Sequence, residues 1–443
     1  MSHAHLPLAS IRPAQSLFGS VGVPGDKSIS HHVLLLAGLA VGESRIAGLL
    51  EGEGTLRMVA AMRALGAEVV QDGPGVWRVA GRGVGGLREP GDVLDMGGSG
   101  IAVRLLCGIL AGHDLFAIVT GGVSLRRRSM RQATELLKRC GAQFRGPADG
   151  RLPLAIQGAR DALPIEHRLT IASAPMKSAL LLAGLNAPGW TRVEEPEATC
   201  DHVERMLRHF GAQVLVEPAG TGRVTRLIGQ PELQAADVLV PGDVSLAAFP
   251  LVAALIVPGS VVTVQNVGLN PQRIGLFATL RAMGARLDVT CERLEAGEPV
   301  GDVTATYTGL CGAEVPAERV LGMIDDYPIL AVAAACARGS TRICGHAELR
   351  AKTGSRLSSI AAMLKLNGVR TETDGDDLVV RGNGALPTGG GRIETRMDHS
   401  LAMSALILGL ATASPVGVSD SAAIDSGFPG FVTLMRKLGA AIA

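Results

Sequence analysis

Thr55-Leu56-Arg57-Met58-Val59-Ala60-Ala61-Met62-Arg63-Ala64-Leu65-Gly66-Ala67 reads as an amphipathic helix stopped by a glycine, and that ending recurs along the chain. It returns at Cys140-Gly141-Ala142, Phe210-Gly211-Ala212, Met283-Gly284-Ala285, Asn367-Gly368-Val369 and Leu438-Gly439-Ala440, with the glycines 70 to 84 residues apart. Alternating apolar residues follow each one. The pattern predicts six helices closed by a left-handed glycine, each leading into a strand.

A second series keeps step with the first. Largely uncharged segments start near Ser30, Ile101, Met176, Leu246, Tyr327 and Leu401 and end in Gly- or Pro-rich turns. Helices that are apolar all round are buried helices. Each unit of about seventy residues therefore holds a buried helix, a strand, an exposed amphipathic helix and one or two further strands. With 443 residues and 47% hydrophobic content, six such units predict an α/β protein of two domains, three repeats each.

What precedes each buried helix carries the chemistry. In chain order these segments are Gly25-Asp26-Lys27-Ser28-Ile29-Ser30, Gly97-Gly98-Ser99-Gly100, Ala172-Ser173-Ala174-Pro175, Pro241-Gly242-Asp243-Val244-Ser245, Met323-Ile324-Asp325-Asp326 and Met397-Asp398-His399-Ser400. Free N–H groups and the positive end of the dipole suit a helix start to phosphate or carboxylate. Ser, Asp and Gly are also ordinary N-caps, so any one segment alone is explained by capping. Six in register point to convergent anion sites.

Composition narrows the classes. Forty-two Lys and Arg against 41 Asp and Glu give a formal charge of +1, so no nucleic-acid or acidic-membrane partner is expected. Aromatic residues make up 3% of the chain, too few for base-stacking platforms. The seven cysteines form no C-x-x-C pair, which fits a reducing compartment and predicts neither disulfides nor a metal site. Residues 1–14 contain no continuous apolar run of the secretory kind, and cytoplasm is the expected location. The uncharged stretch 245–264 has spanning length, but Pro250, Pro258 and Gly259 break it into a short helix, a turn and a strand, so no membrane span is predicted.

Val23-Pro24-Gly25-Asp26-Lys27-Ser28-Ile29-Ser30-His31 resembles the N-terminal signature of the 5-enolpyruvylshikimate-3-phosphate synthase family, most closely its glyphosate-insensitive bacterial class. The likeness extends over 121–130, 151–153, 173–182, 240–254, 323–335, 348–357 and 398–404. It implies the enolpyruvyl transferase fold of six βαβαββ repeats, with 1–24 plus 243–443 as one domain and 25–242 as the other. It also implies transfer of the enolpyruvyl group of phosphoenolpyruvate to the 5-hydroxyl of shikimate 3-phosphate, in a monomer without metal or organic cofactor.

The resemblance also supplies residue roles. It implies that Lys27 and Asp325 are catalytic, that Lys27, Gly100, Arg128 and Arg356 bind phosphoenolpyruvate, and that Ser28, Ser173, Asp325 and Lys352 meet the shikimate phosphate. Arg104 matches an arginine near the glycine loop. Holding two phosphorylated anions while a proton moves requires several cations and a carboxylate that can trade a proton.

Several family positions are substituted here. His32, Cys200 and Ser400 stand for arginines, Gly98 and Ile101 for an asparagine and a threonine, and Pro175 for a glutamine. Thr353 and Ser355 stand for carboxylates, and Ser426 for a lysine. Losing several charged hydrogen bonds predicts weakened binding of both substrates and weak inhibition by glyphosate. Two further readings follow: a divergent paralogue acting on a different acceptor, or a catalytically impaired homologue that binds an anion. A sugar-nucleotide transferase with a reactive loop cysteine is disfavoured, because 121–130 contains no cysteine.

Overall fold

The computed structural model describes residues 7–345, 350–395 and 397–443, with the side chains of 350–355 left out of the description. The chain divides into two compact units: Met1–Pro24, Gly242–Arg293 and Pro299–Ala443 form the first, and Gly25–Pro241 with Leu294–Glu298 form the second. Each unit encloses its own apolar core.

Three buried helices stand at the centre of each core. In the second unit they are α1 (Lys27–Leu39), α2 (Gly100–Ala111) and α3 (Ala174–Gly184). In the first unit they are α4 (Val244–Ile256), α5 (Tyr327–Cys336) and α6 (His399–Gly409). Apart from their first turns and Arg104, these helices are buried on nearly every side, as uncharged all-round sequences require. In the second unit α2 packs against α1 and α3, and in the first α4, α5 and α6 touch pairwise.

Around them the described residues form six small sheets, five of four strands and one of three. In one, Glu43–Ala47 pairs in parallel with Val238–Leu239 and antiparallel with Val76–Ala80, which in turn pairs antiparallel with Glu68–Gly73. The same order, one parallel and two antiparallel pairings, recurs in the sheets containing Phe116–Thr120, Trp190–Glu195 and Val416–Val418. The three-stranded sheet (Arg338–Ile343, Asp377–Asn383, Arg370–Asp374) departs from it. There, two isolated parallel bridges, Cys311 to Arg338 and Glu314 to Arg342, stand where the fourth strand would lie.

All six expected helix-stop glycines are left-handed, with φ of 99° at Gly66, 101° at Gly141, 90° at Gly211, 86° at Gly284, 80° at Gly368 and 101° at Gly439. At five of them the following residue returns its N–H to a helical carbonyl, as Ala67 does to Met62 and Ala212 to Leu207, so the turn satisfies a carbonyl that the helix end leaves open. A basic residue three positions before the glycine adds a clasp. Arg63, Arg208, Arg281 and Arg436 each donate to the carbonyl three positions after the glycine, on Val69, Val214, Leu287 and Ile442, at 2.6–3.1 Å. The clasp ties helix to strand and places a cation at the negative end of the helix dipole.

The stretch 245–264 forms the expected helix, turn and strand, but Pro250 does not break the helix. It sits inside α4, and the break comes at Val257–Gly259, before strand Val261–Gly268. Burial in the core outweighs the hydrogen bond that proline cannot donate. Among the described residues no helix is long and apolar enough to cross a membrane.

Candidate active site

Hydrogen bonds knit the starts of neighbouring buried helices together. In the second unit His31, in the second turn of α1, meets Ser99, the N-cap of α2, with Nε2 to Oγ at 3.3 Å. In the first unit Ser400 of α6 donates its hydroxyl to the carbonyl of Asp325, ahead of α5, at 3.4 Å. Asp326 is the N-cap residue of α5 and interacts with Ser245 and Arg273 by α4, and Arg273 donates to Ser245 Oγ at 3.1 Å.

Four of the six pre-helical segments perform the capping that their composition suggests. Asp26, Ser99, Asp243 and Asp398 accept from the N–H of Ile29, Ala102, Ser245 and Leu401 at 2.9–3.3 Å. Ser173 occupies the N-cap position of α3 without such a bond, which leaves its hydroxyl for another partner. Pro175 sits in the first turn of that helix, where a missing N–H costs nothing.

At the α2 start two guanidinium groups close on one glycine. A Cβ at Gly100 would stand 3.2 Å from Arg104 Nη1 and 3.7 Å from Arg128 Nη1. Arg104 is fixed by donating to the Gly100 carbonyl at 2.7 Å, and burial together with the charge of Arg128 pulls its pKa down. Two like charges held on a glycine make a ready anion site, because an arriving carboxylate or phosphate relieves both the repulsion and the desolvation. Lys27 and Ser28 open α1, Lys27 exposed and Ser28 half-buried. Gly98 is exposed with open space around it, and Ile101 is half-buried.

In the first unit Arg356 bridges two carboxylates. Its Nη1 lies 3.2 Å from Asp325 Oδ1 and its Nε 3.6 Å from Asp398 Oδ2. Asp325 is exposed, whereas its neighbour Asp326 is buried, and burial pushes the Asp326 carboxyl up to about 7 against the opposing pull of Arg273. The side chains of Lys352, Thr353 and Ser355 lie outside the description.

Three of the substituted positions, His32, Ser400 and Ser426, bond to backbone carbonyls. His32 is buried, and its Nδ1 donates to the Ser28 carbonyl, one turn back, at 2.7 Å. Burial and the charge of His202 lower its pKa to about 4, so the imidazole is neutral and supplies no cation where the resemblance places an arginine. Ser400 is spent on Asp325, and the exposed Ser426 donates to the Ala423 carbonyl at 2.7 Å.

Behind α1 lies an ionic network that the sequence reading missed. Lys177, in α3, is fully buried with Nζ 2.9 Å from Glu195 and 2.7 Å from Glu204, themselves fully buried. Thr199 donates to Glu195, Thr225 to Glu204, and Lys177 reaches the Cys200 carbonyl at 3.1 Å. Burial alone would lower the Lys177 pKa, but the two carboxylates raise it. The available signal was a single lysine in an otherwise apolar helix, Met176-Lys177-Ser178-Ala179-Leu180, because an unpaired charge is almost never fully buried. Among the described residues no group of His, Cys, Asp and Glu could hold a metal ion.

Residues 11–435 match the family model described as EPSP synthase (3-phosphoshikimate 1-carboxyvinyltransferase). The chain belongs to the EPSP synthase family. Over 99% of its length it is 62% identical to the 3-phosphoshikimate 1-carboxyvinyltransferase of Granulibacter bethesdensis, covering 97% of that protein. It is 60% identical to the protein of that name from Acidiphilium cryptum, with 100% of this chain and 99% of the relative covered. The solved EPSP synthase of Acinetobacter baumannii superposes with a TM-score of 0.90 at 36% identity, covering 99% of both chains. The enolpyruvyl transferase NikO of Streptomyces tendae shares the fold, with a TM-score of 0.75 at 21% identity over 99% of both chains. This two-domain α/β architecture is therefore that of the family's enzymes.

Proposed function

We propose that this enzyme transfers the carboxyvinyl group of phosphoenolpyruvate to the 5-hydroxyl of shikimate 3-phosphate and releases phosphate. The observation that carries the reading is the Arg104 and Arg128 pair converging on Gly100, within a chain matched to synthases of this name along its whole length. In this reading Arg128 and Arg104 take the phosphoenolpyruvate carboxylate, with the backbone of Gly100 close against it. Lys27 balances the phosphate, and Ser28 and the uncommitted hydroxyl of Ser173 meet the shikimate phosphate. Arg356 is a further cation for phosphoenolpyruvate, Lys352 a lysine lining the same site, and Asp325 carries the proton needed at the methylene carbon and returned when phosphate leaves.

A divergent acceptor is the second reading. It is favoured by His32, Ser400 and Ser426, whose polar atoms bond to backbone carbonyls and supply no cation where the resemblance places one. One assay separates the two. Phosphate release from phosphoenolpyruvate is measured with and without shikimate 3-phosphate, and the product is followed by NMR. Release that depends on shikimate 3-phosphate and yields its enolpyruvyl ether is expected. No release at saturating concentrations of both substrates overturns the assignment in favour of another acceptor or an inactive fold.

A further inference from the structure

His31 is a buried titratable group to which the proposed reaction gives no role. It lies in the second turn of α1 and is completely inaccessible. Its Nε2 meets Ser99 Oγ at 3.3 Å, and its Nδ1 is buried without a hydrogen-bond partner. Burial, with the charge of Lys27, lowers its pKa to about 3, so the ring is neutral and carries one hydrogen. On Nδ1 that hydrogen would be a stranded donor, whereas on Nε2 it is given to Ser99 and only a lone pair goes unused. Orphaned donors are the rarer of the two in folded proteins, so Nε2 donates and Ser99 Oγ accepts.

Ser99 is where the glycine loop becomes helix. The loop's entrance is fixed by backbone bonds, from Met96 N–H to Thr120 at 3.1 Å and from Gly122 N–H to the Gly97 carbonyl at 2.7 Å. Its exit depends on Ser99, whose Oγ accepts from Ala102 at 3.3 Å and whose carbonyl accepts from Val103 at 3.2 Å. The same first turn contains Gly100, the residue whose carbonyl anchors Arg104 at 2.7 Å. A third element closes on the contact: a Cβ at Gly54, in helix Glu53–Ala64, would stand 2.7 Å from Ser99 Cβ and 3.7 Å from His31 Cε1. Ser30, beside His31, accepts from the Leu50 N–H at 3.1 Å, so consecutive residues of α1 hold both the approach to that helix and the glycine loop.

We infer that His31 is a positioning residue for the anion site: its hydrogen bond to Ser99 fixes the first turn of α2, and with it Gly100 and the carbonyl that anchors Arg104. It acts through Ser99 and touches no reacting atom. Lys27 and Ser28 open α1 one turn before His31, so the bond also ties the start of α1 to the start of α2. A turn held from the side keeps Gly100 and Arg104 in place before the ligand arrives, and binding then spends less on ordering them. The inference rests on the reading that places the phosphoenolpyruvate carboxylate at Gly100, and its test separates the two.

The test compares His31→Leu, which fills the space without a donor, with His31→Gln, whose amide reaches as far as Nε2. Hydrogen exchange of the intact chain, read by mass spectrometry over residues 99–103, should be about tenfold faster in His31→Leu and close to the unaltered rate in His31→Gln. Initial rates should show the KM for phosphoenolpyruvate raised about fivefold to tenfold in His31→Leu, that for shikimate 3-phosphate within about twofold, and both restored in His31→Gln. Adding His31→Leu to Ser99→Ala should change the KM by less than about 1.5-fold, because the bond is already gone. Faster exchange with a KM rise confined to shikimate 3-phosphate upholds the role of His31 and removes phosphoenolpyruvate from Gly100. Unchanged exchange in His31→Leu, or equal effects of leucine and glutamine, overturns the inference whatever the kinetics. If His31→Leu does not fold, His31→Asn decides, being polar but too short to reach Ser99: exchange as slow as in His31→Gln overturns the role.

Discussion

Arg356 Nη1 holds Asp325 Oδ1 at 3.2 Å, while its Nε lies 3.6 Å from Asp398, so one guanidinium ties the turn before α5 to the N-cap of α6. Asp325 remains exposed in this pairing, a carboxylate oriented by a cation yet open to a ligand. Asp325→Asn keeps the shape and one acceptor but cannot trade a proton. We expect kcat to fall by about a hundredfold to ten-thousandfold while the Kd for shikimate 3-phosphate moves less than about threefold. Stopped-flow kinetics and calorimetry measure the two; equal losses in both would assign Asp325 to binding alone.

The left-handed glycines allow conformational cost to be separated from crowding. A methyl at Gly211, φ 90°, would have its nearest neighbour, Gln234 Cγ, 4.0 Å away, so Gly211→Ala should cost only the left-handed penalty of about 1–2 kcal/mol. At Gly368, φ 80°, the same methyl would collide with Thr388 Oγ1, so Gly368→Ala should cost clearly more. Urea denaturation of the two variants checks the order, and equal losses would refute it.

These same glycines mark how far the sequence could be read. A helix stop leaves a local signature, because only glycine adopts that backbone angle freely, and so the repeats and the buried helices were legible. The arginine clasps at Arg63, Arg208, Arg281 and Arg436 were not, because a carbonyl acceptor leaves no mark in the side-chain pattern. The Lys177 network was missed for a related reason: Glu195 and Glu204 come from a strand and a helix 18 and 27 residues further on, a pairing that only the fold creates. His32 stands where the resemblance places an arginine, but its bond to the Ser28 carbonyl could not be read from the sequence.

Buried neutral histidines set the acid response of the fold. Burial lowers His31 to about 3 and His32 to about 4 from the usual 6.5. Between pH 6.5 and those values the unfolded chain binds more protons, so the stability the neutral rings contribute is complete above about 6.5 and is lost as pH falls through about 4 and then 3. Asp326 works oppositely: raised to about 7, its protonated form favours the fold at low pH, and that contribution fades as pH rises toward 7. Denaturation midpoints between pH 7 and 4.5 should therefore fall less steeply with acid in His32→Gln than in the unaltered chain, and more steeply in Asp326→Asn. Unchanged slopes would show that neither group titrates in this window.

Gly100 gives the most direct test of the anion site. An added methyl would press on Arg104 Nη1 at 3.2 Å, tighter than ordinary van der Waals contact, and narrow the gap to Arg128 Nη1 at 3.7 Å. Arg104 is anchored to the Gly100 carbonyl at 2.7 Å, so it cannot retreat without losing that bond. The crowding falls on the face where the phosphoenolpyruvate carboxylate is proposed to bind and leaves Ser28 and Ser173 untouched. Gly100→Ala should raise the KM for phosphoenolpyruvate about tenfold or more and leave that for shikimate 3-phosphate within about twofold. Initial-rate kinetics with each substrate varied in turn decide the matter. A rise confined to shikimate 3-phosphate would move the phosphoenolpyruvate subsite away from Arg104 and Arg128.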